Sequence, residues 1–187
     1  NPQPLLTTGG CLDYLAEKGI NTYIQYTLND YVTEKLERGV PDLQERIDTF
    51  KRLVDKLGFG KVIWRFDPMI LTNQIGCDDL LAKIENIGNQ LKGYTEKLVF
   101  SYADIRTYRK VQANLTKNSI NYREFEQEDM LYVAKSLERL NERWGLTLAT
   151  CGEKIDIDQF GIIHNKCIDD DLMIKYFSED KKLMDFL

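Results

Sequence analysis

Four short runs rich in β-branched and aromatic residues are separated, each time, by a stretch with helical apolar spacing. That alternation limits the fold more than any other feature of the chain. Ile20–Leu28, Val62–Phe66, Lys97–Tyr102 and Leu146–Cys151 read as strands. Between the first two, Leu43, Ile47, Phe50, Leu53, Val54 and Leu57 recur on one helical face, behind Pro41 and Asp42 and ahead of Gly58. Between the next two, Asp78 and Asp79 open a helix with Leu80, Leu81, Ile84, Ile87 and Leu91 on one side, ending near Gly93. Ala103–Arg123 reads as a long linker with helical turns. It leads into a helix from Glu124 to Trp144 whose spine is Met130, Val133, Leu137 and Leu140. A short helix around Leu12, Leu15 and Ala16, ended by Gly19, precedes the first strand. After the last come Ile155–Phe160, a turn at Gly161 and a helix from about Asp169 to Phe177.

Strands joined through helices that return the chain to one side pair in parallel through right-handed crossovers. No glycine-rich phosphate loop follows any strand, which disfavours a dinucleotide-binding or P-loop fold. The expected fold class is α/β: a parallel (β/α) barrel-like domain or partial TIM barrel with at least four βα units. A complete barrel takes about 250 residues, and this chain has 187. Residues 1–187 are therefore expected to form one barrel-like domain. The opening Asn1-Pro2-Gln3-Pro4 and the uncapped ending at Leu187 suggest a piece of a longer protein.

Chemistry in such folds collects at the C-terminal ends of the strands. Those ends carry Gln25, Thr27, Asn29 and Asp30, then Arg65 and Asp67, then Ser101, Tyr102 and Asp104, then Thr150, Cys151 and Glu153. Arg65 and Asp67 are two residues apart on a strand, so they point to the same face. An arginine there is a fixed fork for a carboxylate or phosphate, or it pairs internally with Asp67, Asp104 or Glu153. Asp104 and Glu153 suit acid and base roles or a metal. The alternative is that Asp104 caps the turn after it and Glu153 faces solvent. Gln25, Thr27, Ser101 and Tyr102 complete the candidate substrate- or cofactor-binding set.

The four cysteines, Cys11, Cys77, Cys151 and Cys167, form no CxxC pair, so a zinc ribbon or thioredoxin-type site is not expected. Scattered reduced thiols suggest a cytoplasmic protein. Cys151 ends a strand, where a thiol is either a nucleophile or a buried structural residue. His164 is the one histidine, which excludes a multi-histidine metal centre from this chain. The net charge of −5 argues against a generally basic nucleic-acid surface. Tyr102, Arg106, Tyr108, Arg109 and Lys110 do form an aromatic and basic cluster, fit for a phosphate or a nucleic-acid strand or for a solvated helix face. No apolar window approaches the roughly 18 residues of a membrane span.

Trp64-Arg65-Phe66-Asp67-Pro68, Ser101-Tyr102-Ala103-Asp104 with Tyr108-Arg109-Lys110, Thr150-Cys151-Gly152-Glu153-Lys154-Ile155, Gly161-Ile162 and Cys167-Ile168-Asp169 occur in that order. Together they resemble the bacterial family called "domain of unknown function 1848". Asn1-Pro2 and Tyr26-Thr27 resemble further segments of it. Members of that family are longer, and their biochemical activity is not established. They carry a C-terminal cysteine cluster similar to the iron–sulfur site of radical S-adenosylmethionine enzymes, which this chain lacks. The resemblance thus implies an iron–sulfur, S-adenosylmethionine-dependent enzyme in full-length form, with no cofactor held by motifs of this chain. In that picture Arg65, Asp67 and Glu153 would bind polar groups of the cofactor or of a small-molecule or phosphate-bearing substrate. Two other readings stay open. One is a hydrolase or lyase using Asp67, Asp104 and Glu153 with a divalent metal. The other is a non-catalytic domain binding phosphate or nucleic acid.

Overall fold

The structure is a computed structural model that describes residues 3–153 and 155–187. Asn1 and Pro2, and Lys154 within the fourth motif, lie outside the described residues. In chain order the elements are α1 (Cys11–Glu17), β1 (Ile24–Thr27), α2 (Leu43–Leu57), β2 (Val62–Met69), β3 (Leu71–Thr72), α3 (Cys77–Leu91), β4 (Lys97–Tyr102), α4 (Arg109–Lys117), β5 (Tyr122–Arg123), α5 (Gln127–Asn141), β6 (Thr147–Thr150), β7 (Ile162–His164), α6 (Asp170–Phe177) and α7 (Lys181–Phe186). Short 3₁₀ turns occupy Gln3–Leu6 and Asp158–Phe160.

Five strands form one sheet in the order β1-β2-β4-β6-β7, every pair parallel. Spatial order thus follows chain order. The expected α/β class with parallel strands holds. The sheet does not close: β1 and β7 are its two edges among the described residues.

The helices form for reasons visible in their ends and faces. The Asp42 side chain caps α2 by accepting from the Glu45 N–H at 2.8 Å, and Gly58 ends the helix at φ +97°, a conformation that favours glycine. Asp79 reaches back to the Gly76 N–H at 2.8 Å at the start of α3. Asp129 does the same for the Glu126 N–H at 3.1 Å in α5. The apolar sides of these three helices bury Ile47, Phe50, Leu53, Leu80, Ile84, Ile87, Val133 and Leu137 in one core. Trp64, Phe66, Leu98, Phe100 and Leu148 from the sheet pack into that same core. The Trp64 ring meets the Trp144 ring edge-on at 6.4 Å, and its indole N–H donates to the Leu28 carbonyl at 3.0 Å.

Strand alternation puts the other residues on the opposite face. There Ile63, Val99 and Ala149 pack against Leu172 and Phe177 of α6, with Leu183 of α7 alongside. These two helices fasten at the N-terminal side of the strands. Lys97 pairs with Asp169 at 2.7 Å, Lys175 with Glu96 at 2.8 Å, and Asn21 donates to Asp180 at 3.1 Å. Gly60, at φ +80°, lies so close to Tyr176 that a Cβ there would stand 1.9 Å from its hydroxyl oxygen. The lower half of this face is therefore covered, and the upper half, where the strands end, is left to the polar residues.

Several boundaries differ from those read in the sequence. The first strand is only Ile24–Thr27, because Ile20–Tyr23 precedes the stretch that β2 pairs with. β2 runs past Phe66 to Met69, through a cis Asp67–Pro68 bond and a register shift against β4. The long helix is Gln127–Asn141, shorter at both ends than Glu124–Trp144. The 103–123 linker holds α4 and then β5, which pairs antiparallel with β3. The stretch Ile155–Phe160, given no element in the sequence reading, ends in a 3₁₀ turn; β7 lies just beyond Gly161, and α7 follows the expected last helix.

Candidate functional site

Four adjacent strand ends bring their polar side chains together on the face that α6 and α7 leave open. Arg65 sits near the end of β2. Its Nε donates to Asp67 Oδ2 at 3.1 Å, Nη2 donates to the same oxygen, and Nη1 donates to Gln25 Oε1 on β1. Gln25 in turn donates to the Cys167 carbonyl at 3.1 Å, which ties the loop before α6 to the group. The other Asp67 oxygen accepts from the Ser101 hydroxyl on β4. The Asp67 backbone is held from below by buried Asn29, whose Oδ1 accepts the Asp67 N–H at 2.9 Å. Arg65 and Asp67 have side-chain exposures of 19% and 20%, so the pair is partly shielded yet open to a ligand.

Glu153, just past β6, closes the set. Its Oε1 accepts the Tyr102 N–H at 2.8 Å. Burial raises its carboxyl above the ordinary glutamate range; the Tyr102 N–H works against this, and the nearby Asp67 and Asp104 carboxylates add to the rise. Burial opposes the charge on Arg65, but the hydrogen bonds and charge of Asp67, with the Cys151 thiol beside it, leave the guanidinium more firmly protonated than usual. The Tyr102 phenol is also pushed up, chiefly by burial. Its hydroxyl donates to the Met130 carbonyl at 3.0 Å, inside the helix-side core.

The sequence-derived residues thus divide. Gln25, Arg65, Asp67 and Ser101 form one hydrogen-bonded group, and Glu153 stands beside it. Tyr102 contributes its backbone N–H, while its ring points into the core. Thr27 is exposed on the same face and makes no side-chain hydrogen bond among the described residues. Asp104 turns to its own loop, where it accepts from the Thr107 N–H at 3.3 Å and from the Thr107 hydroxyl. That is the capping role, because Asp104 begins a tight turn whose N–H groups need an acceptor. Glu153, by contrast, is half-buried rather than solvent-facing. Asn29 was read as one polar residue at a strand end; its buried role under Asp67 depends on β1 and β2 being neighbours. The basic cluster stands apart, with Tyr108, Arg109 and Lys110 exposed at the start of α4.

Two findings bear on cofactors. The described cysteines lie apart: Cys11 opens α1, Cys77 opens α3, Cys151 faces Arg65, and Cys167 precedes α6. Cys77 faces Asp129, and burial pushes its thiol up to about 11, with Asp129 adding to the shift. The described thiols therefore do not fit the ligand set of an iron–sulfur cluster. Among the described residues, the one group of three carboxylate, thiol or imidazole ligands within metal-binding reach is Asp169, Asp170 and Asp171. Lys97 and Lys166 already pair with it. Asp67, Asp104 and Glu153 do not make such a group.

The family model described as Domain of unknown function (DUF1848) matches residues 1–185. The chain belongs to this family. The ordered motifs of the DUF1848 chain now have positions: the first, second and third end β2, β4 and β6, and the last precedes α6. No curated protein and no solved structure matches the chain. Among the described residues, no helix is long and apolar enough to cross a membrane.

Proposed function

We propose that the DUF1848 chain is the substrate-binding part of an enzyme built on consecutive staves of a (β/α) barrel, and that its polar strand-end face performs proton transfer on a small polar substrate. Chain-order parallel strands with the α2, α3 and α5 layer on one side support the barrel reading. The observation that carries the function is the convergence of Arg65, Asp67, Ser101 and Glu153 from three neighbouring strand ends. The Glu153 carboxyl there has a raised proton affinity, and the Asp67 carboxylate pairs with Arg65. A half-buried carboxyl with raised proton affinity beside a fixed cation is fit to exchange a proton with a bound substrate. In this reading Glu153 exchanges the proton, and Arg65 orients an anionic group of the substrate. Asp67 and Gln25 fix the guanidinium.

An iron–sulfur or S-adenosylmethionine-dependent activity would draw its cluster ligands from elsewhere than the described cysteines, and no step is assigned to it. The test is a thermal-shift screen of small carboxylate- and phosphate-bearing metabolites on the wild type, Arg65→Lys and Glu153→Gln. The reading expects compounds whose stabilisation is lost in Arg65→Lys and kept in Glu153→Gln, with turnover lost in Glu153→Gln. Compounds that stabilise all three proteins alike would place binding elsewhere and sink the proposal.

A further inference from the structure

The segment that follows β4 carries a charge pattern that the polar face does not use. Residues 105–123 hold Arg106, Arg109, Lys110, Lys117 and Arg123 and no carboxylate, in a chain whose net charge is −5. β4 is the middle strand of the sheet, two strands from either margin. The position of this segment therefore does not depend on what adjoins β1 or β7. Arg123 pairs with Asp129, and Arg106 reaches Glu124 only at 3.9 Å. Arg109, Lys110 and Lys117 have no ion pair and no side-chain hydrogen bond among the described residues.

α4 is attached along one side. Leu115 is its buried residue, Gln112 donates to the Tyr122 hydroxyl at 2.9 Å, and Arg38 donates to Asn118. With Leu115 turned inward, helical geometry puts Lys110, Ala113 and Lys117 on the outward side, the two lysines about 10 Å apart along the axis. Just before the helix, Tyr108 is 64% exposed and the Arg106 side chain 77%. An exposed aromatic ring among unpaired cations is the make-up of a single-stranded nucleic-acid surface: the ring stacks on a base of any identity, and the cations follow the phosphates. A protein partner would call for apolar anchors and few lysines at the centre of the patch. The outward side of α4 offers only Ala113 between its cations.

We propose that residues 106–117 bind single-stranded nucleic acid. Tyr108 stacks on one base, and Arg109, Lys110 and Lys117 pair with the phosphates beside it. The strand is single because a ring can stack only on a base that is not already stacked inside a duplex. The acidic remainder of the chain repels the phosphates elsewhere and confines the strand to this strip.

The test is the fluorescence anisotropy of a labelled oligothymidylate of about ten nucleotides, a length within single-strand site sizes. Saturable binding is expected, weakening as salt rises with a log–log slope of about −2, the value for three phosphates neutralised on a single strand. Replacing all three cations, Arg109→Gln, Lys110→Gln and Lys117→Gln, should bring the slope close to zero and weaken binding at least about 10-fold at low salt. Tyr108→Ala should weaken binding about 5- to 100-fold and leave the slope unchanged, while Tyr108→Phe keeps it. No binding of the oligonucleotide overturns the proposal. So does a triple variant that binds like the wild type, or a Tyr108→Ala variant that loses nothing. Polyglutamate competing as well as unlabelled oligothymidylate of equal charge also overturns it, since the strip would then read charge alone. Tighter binding of a hairpin duplex than of the single strand does the same. Melting curves report whether the variants fold, and all four substituted positions are exposed. The probe here is an oligonucleotide and that of the polar face a small metabolite, so either reading can fail while the other stands.

Discussion

At the scale of single residues, Glu153 carries the clearest pH signature. Its carboxyl keeps its proton to higher pH in the folded chain than the ordinary value of 4.5. Between those two values the folded state binds more protons than the unfolded state, so stability falls as pH rises through that window. Glu153→Gln is expected to flatten this part of the curve, measured by chemical denaturation from pH 4.5 up to neutrality. A curve unchanged by the substitution would mean that Glu153 titrates as an ordinary surface glutamate. Arg65 and Asp67 should couple. In a double-mutant cycle with Arg65→Met and Asp67→Asn, the interaction energy is expected to lie at about 1–3 kcal/mol, because the pair is partly shielded and shares further bonds with Gln25 and Ser101. A coupling near zero would make it a solvated surface pair.

At the scale of elements, two glycines set close packing. Gly60 admits Tyr176 of α6, and a methyl group there would collide with the phenol ring. Gly60→Ala is expected to destabilise the chain by about 1–3 kcal/mol, and limited proteolysis should then open residues 165–187 first. Gly88, inside α3, admits Trp144: a Cβ would stand 2.5 Å from the indole ring. Alanine is the better helix former by about 1 kcal/mol, yet Gly88→Ala is expected to lower the denaturation midpoint, since the ring has to move. A rise in the midpoint would show that Trp144 repacks freely.

The elements also show what could be read from the sequence. α2 and α3 were legible almost to the residue, because their periodicity, acidic N-termini and following glycines all agree, and β4 because its six residues form one compact β-rich run. β7 was missed because three residues cannot display an alternation, and its strand character depends on pairing with β6. β5 was missed for the same reason, being two residues long against β3. At the site, Arg65, Asp67 and Ser101 could be found from strand register alone. That Asp104 serves its own turn, and that Asn29 lies under Asp67, depends on loop paths and neighbours that spacing does not encode.

At the scale of the whole molecule, the sheet has an inside and two margins. β2 and β4 are paired on both sides, with apolar packing over one face and over the lower half of the other, whereas β1, β7 and α4 have an open side. Amide hydrogen exchange is expected to be slowest at Trp64, Phe66, Leu98 and Phe100 and much faster in α4 and along the outer edge of β1. Uniform protection across the sheet would contradict this gradient.

Spatial order that follows chain order has one more consequence. Every strand's partner is the strand before or after it in the main sheet, so no pairing reaches across an intervening unit. A further strand and helix joined at the β1 or β7 margin would extend the sheet without breaking an existing pair. The architecture is thus modular, and it can lengthen or shorten by whole repeats while the Arg65–Asp67 neighbourhood, three strands wide, keeps its geometry.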